Sequence, residues 1–169
     1  MEFVAYTLEE PPFFGTKAMG SCIHASNLKA TGRKVFGMIS LEMIGFFSDA
    51  EDSQKYPYGF MRWFYGKKAD YIFIARKTTN GSFVRKFTKK YMGSGLIKTR
   101  KLGVPKTVTG IDFSDHRNYW ELGFDTLMLT DTAFYRNKNY HKSTDTIDTI
   151  DFNRMAKVID ALVLTLKQF

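Results

Sequence analysis

The chain has 169 residues, 44% of them hydrophobic and 16% aromatic, with one cysteine and a net charge of +8. That size and apolar content give a single domain, residues 1–169, with a real core, and exclude a disordered chain. Cys22 alone excludes an internal disulfide framework, and no apolar run approaches the roughly 20 residues that span a bilayer. No basic leader precedes the first apolar stretch, so no signal peptide is visible and the compartment stays open.

The charge is uneven. Residues 61–110 hold 13 Lys and Arg against one acid, Asp70, a balance of +12 that leaves −4 for the remainder. A basic segment can mark nucleic-acid or anionic-membrane contact. Here Lys67-Lys68, Arg85-Lys86 and Lys89-Lys90 fall on loops or the outer face of a helix, and no RNA- or DNA-binding motif accompanies them. A solvated face is the simpler reading, and neither nucleic acid nor membrane is expected as a partner.

In chain order, Phe3 to Leu8 reads as a strand buried on both faces, ending in Glu9-Glu10 before Pro11-Pro12 stops any ladder. Thr16 can cap a helix from about Lys17 to Ala30, with Ala18, Cys22 and Ala25 on one face. Lys34 to Leu41 reads as a second buried strand, again ending in an acid, Glu42. Strand, helix, strand is the unit that builds parallel sheets. Residues 48–68 form an aromatic loop that can wall a substrate pocket or lie as a surface flap. Tyr71–Ala75 is a third strand, reached before an Asn80-Gly81 turn. A helix over Ser82–Tyr91 aligns Phe83, Phe87 and Tyr91. Leu96–Leu102 is a weaker, basic strand suited to a sheet edge. A short helix over Arg117–Leu122 and a buried strand, Thr126–Thr130, follow. After a long polar loop, Asp131 to Asp148, Asp151 caps a last helix with Phe152, Met155, Ile159, Leu162 and Leu166 on one face.

In a parallel sheet the carboxyl ends of strands converge on one edge, where ligands bind. Three strands deliver candidates there: Glu9-Glu10, Glu42, and the loop bearing His141. Carboxylates with an imidazole suit zinc or another divalent ion. Each also has a plainer role: the glutamates can cap a turn or pair with lysine, and the histidine can bond within its loop. His116 is an alternative ligand, while His24 lies mid-helix. There is no His-Glu-x-x-His, Cys pair, phosphate-binding glycine loop or Gly-x-Ser-x-Gly elbow. Ser114-Asp115-His116 lists triad residue types, but adjacency in sequence does not make triad geometry.

Four stretches together resemble the co-catalytic zinc aminopeptidases, which share their fold with glutaminyl cyclases. They are Phe3–Pro12 with its Glu-Glu pair, Gly37–Gly45 around Glu42, Ser114-Asp115-His116, and Tyr140–Thr146 around His141, in matching order and spacing. The resemblance implies a three-layer α/β/α fold with a mostly parallel, mixed central sheet, here incomplete at the amino-terminal side. It implies hydrolysis of the amino-terminal peptide bond of peptide substrates, with up to two Zn²⁺ ions in the complete enzyme. By motif, Glu9 matches the general base and Glu10 a zinc ligand that shares its metal with His141. Glu42 stands where most members carry an aspartate on the second metal. Asp115 and His116 match a motif near the site and receive no ligand role. The family's His-x-Asp segment, whose Asp bridges the metals, has no counterpart here, so an amino-terminal half is expected to supply it. Three ligand positions of five are present. The isolated chain is therefore expected to be inactive, and an exposed first strand would favour oligomers. A non-catalytic interaction module on this fold and a glutaminyl-cyclase-like acyltransferase are the alternatives.

Overall fold

The computed structural model describes residues 1–79, 81–104 and 110–169; Asn80 of the expected turn lies outside them. The elements are α1 (Gly20–Ala30), β1 (Met38–Glu42), α2 (Met61–Tyr65), β2 (Ile72–Lys77), α3 (Ser82–Gly93), β3 (Thr99–Val104), α4 (His116–Glu121), β4 (Thr126–Thr130) and α5 (Phe152–Leu166). The sheet runs β1-β4-β2-β3. β1 pairs with β4 and β2 with β3 in parallel, while β2 and β4 are antiparallel. The sheet is therefore mixed and mostly parallel, as expected, and the basic β3 lies at an edge.

Helices cover both faces. On one, Ile72, Ile74, Leu127 and Leu129 pack against Phe83, Phe87 and Tyr91 of α3 and Val158, Ala161 and Leu162 of α5. Burying side chains of this size contributes about 1.5–3 kcal/mol each. On the other face, Ala75 and Met128 meet Trp120 of α4, and Tyr119 of α4 packs on Ala25 and Leu28 of α1. The α3 amino terminus has no cap of its own. Asp125, just before β4, caps it instead, accepting from the Gly81 and Val84 N–H groups at 2.9 and 3.1 Å.

Four expectations change. The first helix starts at Gly20 with Met19, not Thr16, at its N-cap, and it buries Ser21, Ala25 and Leu28. Phe3–Leu8 is not a strand: it forms no sheet pairing among the described residues, and Phe3 is 84% exposed. A strand needs a partner for its backbone groups, and an apolar run alone does not provide one. β1 begins at Met38, four residues later than the apolar run suggests. On α5 the buried residues are Val158, Ala161, Leu162 and Thr165, while Phe152 and Ile159 are exposed. Ala161 and Thr165 allow the close approach to α3 that lets the Tyr91 hydroxyl donate to Val158 O at 3.2 Å. Asp151 does cap α5, accepting from Arg154 N–H at 2.9 Å.

A polar cluster is buried beneath the carboxyl end of β4. Asp131 accepts from Phe46 and Ala133 N–H at 2.8 and 2.9 Å. Arg136 is 5% exposed. It donates to Gln54 Oε1 and to Tyr71 O, both at 2.9 Å, and to Phe46 O at 3.2 Å. Its guanidinium also lies over the Tyr71 ring, 4.9 Å from the centroid. Burial pushes the Asp131 carboxyl up to about 6, with Arg136 and the backbone donors opposing. Arg136→Leu strips several buried acceptors of their donor at once. It is expected to cost about 3 kcal/mol or more in denaturant unfolding, with the m-value unchanged.

His116 is fully buried. Its Nε2–H donates to Ile111 O at 2.8 Å, and its ring stands edge-on to Trp120. Burial lowers its pKa from 6.5 to about 4. Between these values the unfolded chain binds the extra proton, so this contribution is present above pH 6.5 and lost as pH falls toward 4. It amounts to about 3 kcal/mol. Asp131, protonated more readily when folded, works in the opposite direction. Comparing His116→Leu with the parent isolates the histidine: the parent is expected to lose more stability than the variant between pH 7 and 4.5.

Candidate active site

Parallel pairing of β1 and β4 sets Glu42 opposite Thr130, so both strands end at one edge. The loops beyond them are stitched together, with Asp131 N–H donating to Met43 O at 2.6 Å. Glu42 is half-buried at this edge. Burial raises its carboxyl pKa; the Ser114 hydroxyl, hydrogen-bonded to it, opposes, and Glu10, Asp115 and Asp131 add to the rise. Ser114 also lies 2.8 Å from the Ser40 hydroxyl on β1, which ties the start of α4 to the strand carrying Glu42.

Glu10 and His141 come from opposite ends of the chain and meet here. Glu10 Oε1 lies 3.3 Å from His141 Nε2, and both side chains are exposed. The Tyr140 ring stacks on the His141 ring with centroids 3.9 Å apart. Burial, then the charges of Glu42, Glu10 and Glu9, push the Tyr140 phenol up to about 12. Burial first, then Glu42, Glu10 and Asp115, push Glu9 up to about 7. Five carboxylates, Glu9, Glu10, Glu42, Asp115 and Asp131, and a phenol thus gather at this edge. Among the described residues there is no group of three or more His, Cys, Asp or Glu placed to hold a metal ion. Of the candidate ligands, Glu10 and His141 are in contact, while Glu42 is linked to Glu10 only through charge.

The backbone is strained around this edge. Of the six described non-glycine residues with positive φ, five are Leu8, Met43, Thr132, Ala133 and His141. They flank Glu9, Glu42 and Asp131 or are themselves site residues. Such conformations cost about 1–2 kcal/mol each and collect where function requires a particular backbone path.

Beside Glu42 opens a cavity walled by Phe73, Leu102, Ile111, Met128, Tyr135 and Tyr140. The aromatic loop contributes Tyr56, Pro57 and Met61, while its Trp63 and Phe64 point to solvent. His116, considered as a ligand, is buried away from the edge against Ile111 and Trp120. His24 is occupied with Tyr6 and Tyr119. Sequence reasoning missed Asp131 and Tyr140. An acid directly after a buried strand was the signal for Asp131, the same one that singles out Glu42. Nothing in the apolar pattern points to Tyr140.

A family model described as Peptidase family M28 matches residues 1–166. The chain is 42% identical over 166 residues to the Escherichia coli (strain K12) protein named Uncharacterized protein YfbL, covering 98% of this chain and 50% of that one. It is 28% identical over 172 residues to Probable leucine aminopeptidase 1 of Trichophyton verrucosum, covering 98% and 39%. Among solved structures, the Legionella pneumophila LapA aminopeptidase shares the fold with a TM-score of 0.60 at 16% identity, over 86% of this chain and 33% of that one. The aminopeptidase from Aneurinibacillus sp. strain AM-1 does so with a TM-score of 0.57 at 20% identity, over 88% and 29%. The chain spans half or less of the length of these curated relatives. No helix among the described residues is long and apolar enough to cross a membrane. With a family model matched over nearly its whole length, the chain belongs to peptidase family M28.

Proposed function

We propose that this chain carries the proton-transfer residue and part of the metal-binding set of a zinc aminopeptidase, which cleaves the amino-terminal peptide bond of peptides. The observation that carries the reading is the meeting of Glu10 and His141 at 3.3 Å, next to Glu9, in a chain of a peptidase family. The donor chemistry fits zinc. A carboxylate and an imidazole converge, and Glu9 and Glu42 sit half-buried, where burial and neighbouring carboxylates raise both pKa values. Glu10 and His141 would hold one ion, and Glu42 would contribute to a second. When bound, zinc supplies Lewis-acid polarisation and lowers the pKa of water.

The chain's own residues do the rest. Glu9 takes a proton from the attacking water and returns it to the leaving amine nitrogen. The cavity beside Glu42 receives the side chain of the first residue. Its walls are mostly apolar, with Phe73, Met128 and Tyr140 beside the charged Glu42 and Lys55, and favour leucine- or phenylalanine-like residues through apolar contact. The relatives named as leucine aminopeptidases agree with that preference.

Two donors in contact hold zinc weakly, since catalytic sites use three protein ligands. Residues 1–169 alone are therefore expected to hydrolyse leucine 4-nitroanilide marginally at best with added zinc. Robust turnover that Glu9→Gln abolishes would show that the donors here suffice and would overturn this expectation. In a polypeptide that also supplies the further His and bridging Asp, Glu9→Gln is expected to lower kcat by at least about 10²-fold with little change in KM. Unchanged turnover in that variant would refute the assignment of Glu9 and favour a non-catalytic module. Cyclisation of amino-terminal glutamine in place of peptide hydrolysis would favour the acyltransferase.

A further inference from the structure

We propose that Tyr6 is a positioning residue for the Glu9-Glu10 segment, and that its hydroxyl, clamped by Tyr119 and His24, holds that segment at the site. This rests on the reading of Glu9 and Glu10 given above. The segment has no sheet ladder to fix it, since residues 1–18 form no helix or strand. Something else must hold two exposed or half-buried glutamates next to His141. Among the described residues upstream of Glu9, the segment is tied down at few points, and the densest is at Tyr6.

The Tyr6 hydroxyl lies 2.5 Å from the Tyr119 hydroxyl and 2.8 Å from His24 Nδ1, and those two lie 2.7 Å from each other. The three atoms close a triangle. A neutral imidazole nitrogen can accept from one phenol while that phenol accepts from the other. Tyr119 is buried in the α1–α4 contact and His24 belongs to α1, so the partners are fixed by two packed helices. His24 Nε2 further approaches Glu2 Oε1 at 3.7 Å. One residue on, Thr7 O accepts the Gly20 N–H at 3.0 Å, the first amide of α1. Leu8 then adopts φ 60°, turning the chain into Glu9. With so short a path, a shift at Tyr6 passes directly to the two glutamates.

The helix that receives Tyr6 also serves Glu42. Ser114, beside the start of α4, contacts Ser40 on β1, and Tyr119 sits on the same helix. α4 thus sets the distance between the Glu9-Glu10 segment and the strand that carries Glu42. A side chain present only for packing would tolerate loss of its hydroxyl. A positioning role would not.

The test uses residues 1–169 with Zn²⁺ alone as the probe, in calorimetric titrations, together with NMR hydrogen exchange at Gly20. Tyr6→Phe keeps the ring and removes the clamp. It is expected to raise the zinc Kd about tenfold and to speed Gly20 exchange at least tenfold, with exchange in the centres of α1 and α4 unchanged. If Tyr6→Phe does not fold, Tyr119→Phe is measured in the same way. Zinc affinity and Gly20 exchange both within twofold of the parent would overturn the proposal. Glu10→Gln is the control for the site itself. If it leaves zinc affinity unchanged, the metal reading fails, and Gly20 exchange alone still decides whether Tyr6 holds the segment.

Discussion

The arrangement at the candidate site depends on the parallel pairing of β1 with β4. It aligns Glu42 with Thr130 and carries the loops beyond both strands off the same edge. Those loops then bond to each other, Asp131 N–H to Met43 O and Phe46 N–H to the Asp131 carboxylate. The antiparallel β2 contributes its beginning to this edge, not its end, because Phe73 lies opposite Thr130. That is why the aromatic residues Tyr71 and Phe73 lie beneath the site and the basic residues at the end of β2 do not. A one-residue slip of β1 against β4 would turn Glu42 to the other face of the sheet.

The two kinds of acid at this edge are handled differently. Asp131 is buried and nearly satisfied: backbone N–H groups reach its carboxylate, and Arg136 opposes its desolvation. It behaves as a structural residue. At Glu9 and Glu42, burial first and then neighbouring carboxylates raise the pKa, and the Ser114 hydroxyl opposes at Glu42. Gathering like charges in a half-buried place is unfavourable unless a cation relieves them. Part of the basic surplus faces solvent elsewhere. Arg85, Lys86 and Lys89 lie exposed on α3, whose buried side packs on the sheet.

Much of the architecture was legible in the sequence because it rests on local signals. β4 falls on Thr126–Thr130 as its apolar run indicates, and Asp151 marks the start of α5 by capping it. The aromatic spacing of Phe83, Phe87 and Tyr91 identifies the buried face of α3. Where the sequence misled, the deciding fact was a partner. Phe3–Leu8 has the composition of a strand, but composition cannot provide a neighbour to pair with. α5 is apolar on more than one face, so periodicity alone did not choose Ala161 and Thr165 over Ile159. The candidates Glu9, Glu10, Glu42 and His141 stand out in the sequence as acids that end apolar runs and an imidazole in a long polar loop, and their proposed roles come from the family motifs. That Glu10 and His141 come together is what the family motif implies, while their 3.3 Å approach depends on the path of a segment without regular structure.

That path carries a cost that the fold must offset. Leu8, Met43, Thr132, Ala133 and His141 each hold a left-handed backbone, at about 1–2 kcal/mol apiece. Five such residues around one edge would use up a large part of an ordinary domain's net stability of roughly 5–15 kcal/mol if nothing compensated. The compensation lies close by and is mostly polar: Arg136 fastening three segments, Ser114 joining β1 to α4, and the triangle of Tyr6, Tyr119 and His24. Each ties a strained loop to a packed element. Apolar packing between the sheet and α3 and α5 supplies the bulk of stability and reaches this edge only through Ile44 and Phe47 of the loop after β1. The strained loops are therefore held by directional bonds, so a single hydroxyl or guanidinium can alter the placement of the carboxylates while the core remains intact.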